Sequence, residues 1–351
     1  MNLEVNGHNI FLMLAITFLI SLVLIPLIKK IALHIGAVSA PDTRKGETWH
    51  IHDKPIPRMG GVAIFFSFLI GYMFFAQTSA QMNAILIGGI IVIMFGLFDD
   101  IKTIKARYRI IPHFIAACIV VFYGNIYIPN IHIFGTALEF GVLGYPLAIF
   151  FIMGAINAIN LIDGLDGLSS GISSIYFATI SILAFILNLH GGLDVTISIL
   201  MLGATLGFLV YNFHPASIFI GDSGTGFLGY IIAVIALLGF KGATLTSLFV
   251  PILILFVPII DTLFAIVRRL IKGQSIGKGD KEHLHHQILK FNNSPRKTVL
   301  IIYAITVLCA AISIFYALGD NMLAIFLYIL LMGVLFFLIL KTDILFKRKA
   351  K

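Results

Sequence analysis

Four short stretches carry most of the acids, amides and imidazoles that could do chemistry in an otherwise apolar chain of 351 residues. In GLFDDIKTIKARYR, Asp99 and Asp100 precede a basic run of Lys102, Lys105, Arg107 and Arg109. NAINLIDGLDGLSSG supplies Asn157, Asn160, Asp163 and Asp166, and YNFHPASIFIGDSGTG supplies Asn212, His214 and Asp222. Asp261 stands in a later apolar run, and EHLHH carries Glu282, His283, His285 and His286. Segments 161–168 and 212–222 contain no Lys or Arg, so their carboxylates ask for a cation from elsewhere. Carboxylate and amide oxygens without thiolates suit a hard ion. A site of few protein oxygens completed by phosphates suits Mg2+ better than Ca2+, with Mn2+ as a substitute. Zinc fits poorly, because the histidines lack a spaced fourth ligand and form no HExxH arrangement.

These residues must be positioned by elements that live in a bilayer. The chain is 59% hydrophobic and only 11% charged, with a mean hydropathy of +1.04, so a soluble globule would lack charge to meet water. A helical crossing needs about 20 apolar residues. Eleven such windows recur: 9–28, 60–77, 83–98, 110–128, 145–161, 168–188, 193–211, 223–239, 244–267, 298–317 and 322–340. They are continuously apolar and do not alternate, which predicts an all-α polytopic protein rather than a barrel. The first window follows no Lys or Arg and precedes Lys29 and Lys30, so it reads as a retained span with its N-terminus outside. Cys118 and Cys309 both fall inside predicted spans and supply no disulfide or zinc framework.

Basic residues test this topology, because cytoplasmic loops accumulate Lys and Arg. Residues 29–58 hold 6, residues 102–109 hold 4, residues 268–297 hold 8 and the tail from Lys341 holds 5, which places 23 of the 24 on one side and leaves only Lys241 on the other. The expectation is a single integral membrane domain over 1–351, with a cytoplasmic C-terminus and cytoplasmic loops at 29–59, 99–109, 161–168, 212–222 and 268–297. All the acids and amides above then face the cytoplasm. The net charge of +8 is this bias plus attraction to anionic lipid, and implies no nucleic-acid partner.

Polar residues at span ends also cap helices and meet headgroups, and an Asp-Gly pair is an ordinary helix stop. In GDSGTGFLG no Lys-Ser/Thr follows, which excludes a Walker P-loop. Gly226 and Gly229 read as close-packing residues, whereas Asp222 and Ser223 stand where a helix begins, with backbone N–H groups that could meet a phosphate.

Taken together, DD after a span, NxxNxxDGxDGL, FxGDSG, HxHH and HDKPIPRMGG (residues 52–61) resemble the polyprenyl-phosphate N-acetylhexosamine-1-phosphate transferases. That family includes the initiators of wall teichoic acid and enterobacterial common antigen and, more distantly, the phospho-MurNAc-pentapeptide translocase. The likeness runs from about Arg44 to Arg296. It implies a magnesium-dependent transferase of the bacterial inner membrane, whose active site faces the cytoplasm. There the phosphate of undecaprenyl phosphate attacks the β-phosphorus of a UDP-N-acetylhexosamine and UMP leaves.

By the same resemblance Asn160 and Asp222 hold the metal, and Asp166 and Phe219 hold the uracil. Arg109 lies near the phosphates, Lys54, Arg58 and Asn212 are further substrate-binding candidates, and His283, His285 and His286 meet the sugar. Asp99, Asp100 and Asp163 are the catalytic candidates. Adjacent helical residues point about 100° apart, so Asp99 and Asp100 are expected to do different jobs. A phosphate monoester is largely dianionic at neutral pH, its second pKa lying near ~6, so a general base is optional. Direct in-line attack is favoured, with a covalent Asp route left open. RKGETWHIHDKPIPR separates Arg44-Lys45 from His52 by more residues than relatives show, which leaves His50, His52 and Lys54 without firm roles.

HLHH in place of a histidine triplet, with eleven windows, points to UDP-GlcNAc. Other UDP-N-acetylhexosamines and UDP-MurNAc-pentapeptide stay open, and a homodimer is compatible with the sequence. A secondary transporter would instead place its acids near the bilayer midplane within two related halves. A scaffold would use them only as anchors.

Overall fold

The computed structural model describes residues 4–39, 55–133, 136–187, 192–239, 255–271, 273, 283–319 and 321–341. Twelve α-helices run through them: α1 Ile10–Ile35, α2 Gly60–Phe75, α3 Ala80–Ile101, α4 Ala106–Cys118, α5 Gly144–Ile162, α6 Leu168–Ile186, α7 Leu193–Asn212, α8 Gly221–Gly239, α9 Phe256–Ile271, α10 Leu284–Asn292, α11 Pro295–Ala317 and α12 Asn321–Lys341. Seven helices among the described residues are long and apolar enough to cross a membrane, with α2 and Met322–Val334 as shorter apolar helices. The chain is therefore an all-α, multi-pass membrane protein.

Helix ends follow local chemistry. Asn9 caps α1 by accepting from the Phe11 and Leu12 N–H groups, and Gly36 ends it in the left-handed region. Ser79 caps α3, and Ser294 caps α11 with Pro295 in its first turn. The helices outrun several apolar windows. Lys29 and Lys30 lie inside α1, Asp99 and Asp100 occupy the last turn of α3, and Arg268 and Arg269 lie in the last turn of α9. The expected loops 29–59, 99–109 and 268–297 are correspondingly shorter, and the last also contains α10. Hydropathy falls where charge begins, whereas backbone hydrogen bonding continues beyond the hydrocarbon. Window 110–128 divides into α4 and a π-helical turn, Ile119–Tyr123. The part of window 244–267 before residue 255 lies outside the described residues, as do Lys54, His50 and His52.

Among the described residues, three two-stranded antiparallel ribbons accompany the helices: β1 Glu4–Val5 with β2 His8–Asn9, β3 Val38–Ser39 with β4 Ile56–Pro57, and β5 Asn130–Ile133 with β6 Thr136–Glu139. The chain leaving β4 runs beside residues 219–220: Phe219 N–H donates to Pro57 O at 2.8 Å, Gly60 N–H to Phe219 O at 3.0 Å and Gly61 N–H to Ile220 O at 2.8 Å. That ladder brings Arg58 to the start of α8.

Helix α8 is the core, surrounded by α2, α3, α5, α6 and α7. Lipid supplies no hydrophobic drive between helices, so close approach and interhelical hydrogen bonds hold them. A β-carbon at Gly61 would fall 2.2 Å from Gly224 Cα, one at Gly96 2.3 Å from Ser223 Cα, and one at Gly229 2.6 Å from Ile156 Cα. Tyr230 Oη donates to Ile85 O at 2.9 Å, and Ser174 Oγ to Thr205 Oγ1 at 2.9 Å. Beyond the π-helical turn that follows α4, Tyr127 stacks at 4.4 Å on Tyr145 in the first turn of α5.

Overpacking a tight core typically costs about 1–3 kcal/mol. Gly61→Ala and Gly96→Ala, whose new methyl groups would meet backbone, should each lower the thermal midpoint in detergent. Gly333→Ala, with open space around it, should not.

Candidate active site

Asp222, in the first turn of α8, is the hub. Its Oδ1 accepts from Asn160 Nδ2 at 2.8 Å and Arg109 Nη1 at 3.0 Å, and its Oδ2 accepts from Arg58 Nη2 at 3.3 Å. Asn160, in the last turn of α5, also donates to Thr225 Oγ1 at 2.9 Å. Side chains from α5, α4, α8 and the β4–α2 link thus meet at one point, and the two residues that the motifs suggested as metal ligands touch each other.

The neighbours Asp99 and Asp100 diverge, as helical geometry requires. Asp99 accepts from Arg109 Nε, from Arg109 Nη2 at 3.1 Å and from Ile104 N–H at 2.7 Å. It therefore aims Arg109 at Asp222. Asp100 turns to the opposite side and caps α8: Oδ1 accepts from Asp222 N–H at 2.7 Å, and Oδ2 from Ser223 N–H at 3.1 Å and Ser223 Oγ at 2.7 Å. Asp100, a catalytic candidate from the motifs, thus also caps this helix start. The N–H groups of Asp222 and Ser223, read as open to a phosphate, are already engaged by that carboxylate, because a remote acid has replaced the missing local cap.

The loop between α5 and α6 carries the next two acids. Asp163 accepts from Ser169 Oγ at 2.5 Å. Protein packed around its carboxyl pushes it upward from the ordinary range, with the Ser169 hydroxyl opposing and the Asp222 charge adding to the rise. The residue keeps a solvent-facing surface. Asp166 Oδ2 meets His214 Nδ1 at 2.9 Å and Ala216 N–H at 3.0 Å, which pins the 213–217 turn. Asn212, read as substrate-binding, is buried, with Oδ1 accepting from Ser170 Oγ at 2.7 Å and Nδ2 donating to Ile218 O at 3.0 Å. Its bonds are internal and shape the stretch leading to Phe219, which is half-buried beside Gly60.

The histidines approach from α10. His285 packs so closely on the Asp163–Asp166 loop that a β-carbon at Gly164 would lie 2.1 Å from its Nε2. Burial, reinforced by His286 and His283, lowers its pKa well below the usual imidazole value. His283 Nδ1 lies 3.0 Å from Asp261 Oδ2. His286 packs at 4.2 Å, ring to ring, from His285.

Beside the hub, a cavity of about 680 Å3 opens between α3, α4, α5, α8 and α9. Phe95, Ile110, Pro112 and Ile266 make it apolar, and Asp99, Arg109, Asn160 and Asp222 line its polar part. The motifs alone did not single out His113, Thr225, Arg269 or Ser169. His113 was detectable as the residue four after Arg109, hence on the same helix face; Thr225 lay three after Asp222 within GDSGTG. Arg269 and Ser169 depend on how helices cross.

Among the described residues, no group of three or more His, Cys, Asp or Glu converges as a metal cage. Asn160 and Asp222 could offer an amide and a carboxylate oxygen, the donor types a hard ion takes when phosphates supply its remaining ligands.

Comparisons with known proteins agree with the motifs. Residues 82–240 match the family described as Glycosyl transferase family 4. The chain is 40% identical over 295 residues to the probable undecaprenyl-phosphate N-acetylglucosaminyl 1-phosphate transferase of Bacillus subtilis, covering 83% of this chain and 80% of that one. It is 34% identical over 330 residues to the decaprenyl-phosphate N-acetylglucosaminephosphotransferase of Mycobacterium tuberculosis, covering 84% and 80%. It is 26% identical over 305 residues to the undecaprenyl-phosphate alpha-N-acetylglucosaminyl 1-phosphate transferase of Salmonella typhi, covering 85% and 81%. With likeness of this extent running through the helices that build the Asp222 hub, the chain belongs to the polyprenyl-phosphate N-acetylhexosamine-1-phosphate transferases of glycosyl transferase family 4.

Proposed function

We propose that this protein transfers GlcNAc-1-phosphate from UDP-GlcNAc to undecaprenyl phosphate, releasing UMP, on the cytoplasmic face of a bacterial inner membrane. The observation that carries the reading is the Asp222 carboxylate, shared by Asn160, Arg58 and Arg109 at the polar part of an apolar cavity. A lipid phosphate needs that combination: apolar walls for its isoprenoid end and cations for its headgroup. The names of the relatives supply polyprenyl phosphate and N-acetylglucosamine. Moving a sugar together with its 1-phosphate requires a donor in which that phosphate is part of a diphosphate, and UDP-GlcNAc meets this with UMP as the leaving group.

In this reading an oxygen of the lipid phosphate attacks the β-phosphorus of UDP-GlcNAc. A new P–O–P bond forms, the bond to the UMP oxygen breaks, and UMP carries away the electron pair. Arg58 and Arg109 bind phosphate oxygens, and Asp99 keeps Arg109 aimed. Asp163, three residues after Asn160 and held by the Ser169 hydroxyl, helps orient the reacting phosphates. Asp166 organises the 213–217 turn beside the uracil. Mg2+, held by Asn160 and Asp222, would neutralise charge building on the diphosphate. Eleven crossings with an outside N-terminus complete the topology, supported by 23 of 24 basic residues on one side.

Purified protein should release UMP from UDP-GlcNAc plus undecaprenyl phosphate and lose turnover in EDTA. Mass identification of the lipid product across UDP-GlcNAc, UDP-GalNAc and UDP-MurNAc-pentapeptide would reveal any other donor preference. Asn160→Ala and Asp222→Ala should each reduce kcat by at least about 100-fold, whereas Asp194→Asn, on the first turn of α7 at the far face, should stay within a few-fold of wild type. A cysteine placed at the exposed Lys290 should be labelled from the cytoplasmic side of oriented vesicles; labelling from outside would invert the topology.

A further inference from the structure

Asp261 belongs to none of the polar interactions around Asp222, yet it is a buried carboxylate within an apolar helix, α9. An ionisable group in such a place needs partners, and among the described residues they lie on one short element. Oδ1 accepts from Leu284 N–H at 2.8 Å, Oδ2 stands 3.0 Å from His283 Nδ1, and His285 Nδ1 lies 3.9 Å away. His283 occupies the cap position of α10 but makes no side-chain cap bond of its own. Asp261 therefore supplies that cap from 23 residues upstream, placing negative charge at the helix start, where the dipole favours it.

Two consequences follow for the histidines. A carboxylate against Nδ1 holds the proton there and fixes which face of the His283 imidazole presents Nε2. The anchored first turn also sets His285, whose ring is parallel to that of His283 at 5.6 Å, against Gly164 in the Asp163–Asp166 loop. Both His285 ring nitrogens are buried without a hydrogen-bond partner, so its placement depends on packing and on the anchor rather than on a bond of its own. An apolar residue at 261 could fill the same space but could not orient an imidazole.

We propose that Asp261 is a positioning residue for the nucleotide-sugar half of the site, acting through His283 and the first turn of α10. This rests on the function proposed above. Its signature is selectivity between the two substrates.

The test uses the full-length protein in detergent, with Asp261→Asn, His283→Ala and the double variant. Each is assayed for kcat, for KM toward UDP-GlcNAc and undecaprenyl phosphate separately, and for thermal midpoint; His283→Gln replaces His283→Ala if the smaller side chain leaves no folded protein. Asp261→Asn, which keeps the volume but loses the charge-assisted bond, should raise KM for UDP-GlcNAc about tenfold. It should leave KM for the lipid within twofold. The double variant should be no worse than the His283 variant alone, because contacts acting through one residue are not additive. Additive losses, an equal rise in both KM values, or a lowered midpoint with unchanged KM would overturn the assignment in an active enzyme. A wild-type protein that releases no UMP would overturn the function above and this inference with it.

Discussion

The position of the Asp222 carboxylate depends on one buried interaction, the cap that Asp100 places on the start of α8. A helix N-terminus exposes N–H groups that must find acceptors, and in a membrane protein an unsatisfied donor away from water is costly. Residues ahead of α8 supply no local cap, so an acid from α3 does. The same two hydrogen bonds that satisfy the backbone also hold the Asp222 side chain where Asn160, Arg58 and Arg109 can reach it. Helix stability and site geometry are one feature here.

That cap only works if α3 and α8 come unusually close. Gly96 permits it by leaving room for Ser223, and Gly61 does the same for Gly224 from α2. These glycines lie beside the reactive end of α8, not at random along it. Close backbone approach brings three helices and the β4–α2 link within reach of a single carboxylate, which long side chains alone would achieve only with greater loss of conformational freedom. Charges are balanced locally: Asp99 with Arg109, and Asp222 with Arg58 and Arg109. A buried or half-buried carboxylate left unpaired would be strongly destabilising, so the arrangement serves folding as well as chemistry.

Asp261 repeats the device. Asp100 caps α8 from α3, and Asp261 caps α10 from α9. In each case the capped turn carries candidate site residues, Asp222 in one and the histidines in the other. A cap contributed from a neighbouring helix ties the helix start to that neighbour's position, whereas a local Ser or Asn cap would leave it free to move as a unit. For a site assembled from the ends of many helices, this sets the relative placement of parts distant in sequence.

Hydropathy and charge are sums over about 20 neighbouring residues, so the sequence by itself determined the helical membrane class and the bunching of acids, amides and imidazoles at span ends. The motifs carried the likeness to a known family, and helical spacing set Asp99 and Asp100 to diverge, since 100° per residue is a local property. It did not determine which duty fell to which. Whether a carboxylate points at a backbone or into a cavity depends on how two helices rotate and cross, and no window of sequence contains both. Hence the sequence did not reveal that Asp100 caps α8, that Asn212 bonds to Ser170 and Ile218, or that Asp261 meets the start of α10. Only the tertiary structure decided these, because each is a hydrogen bond between groups at least six residues apart, and most span more than twenty.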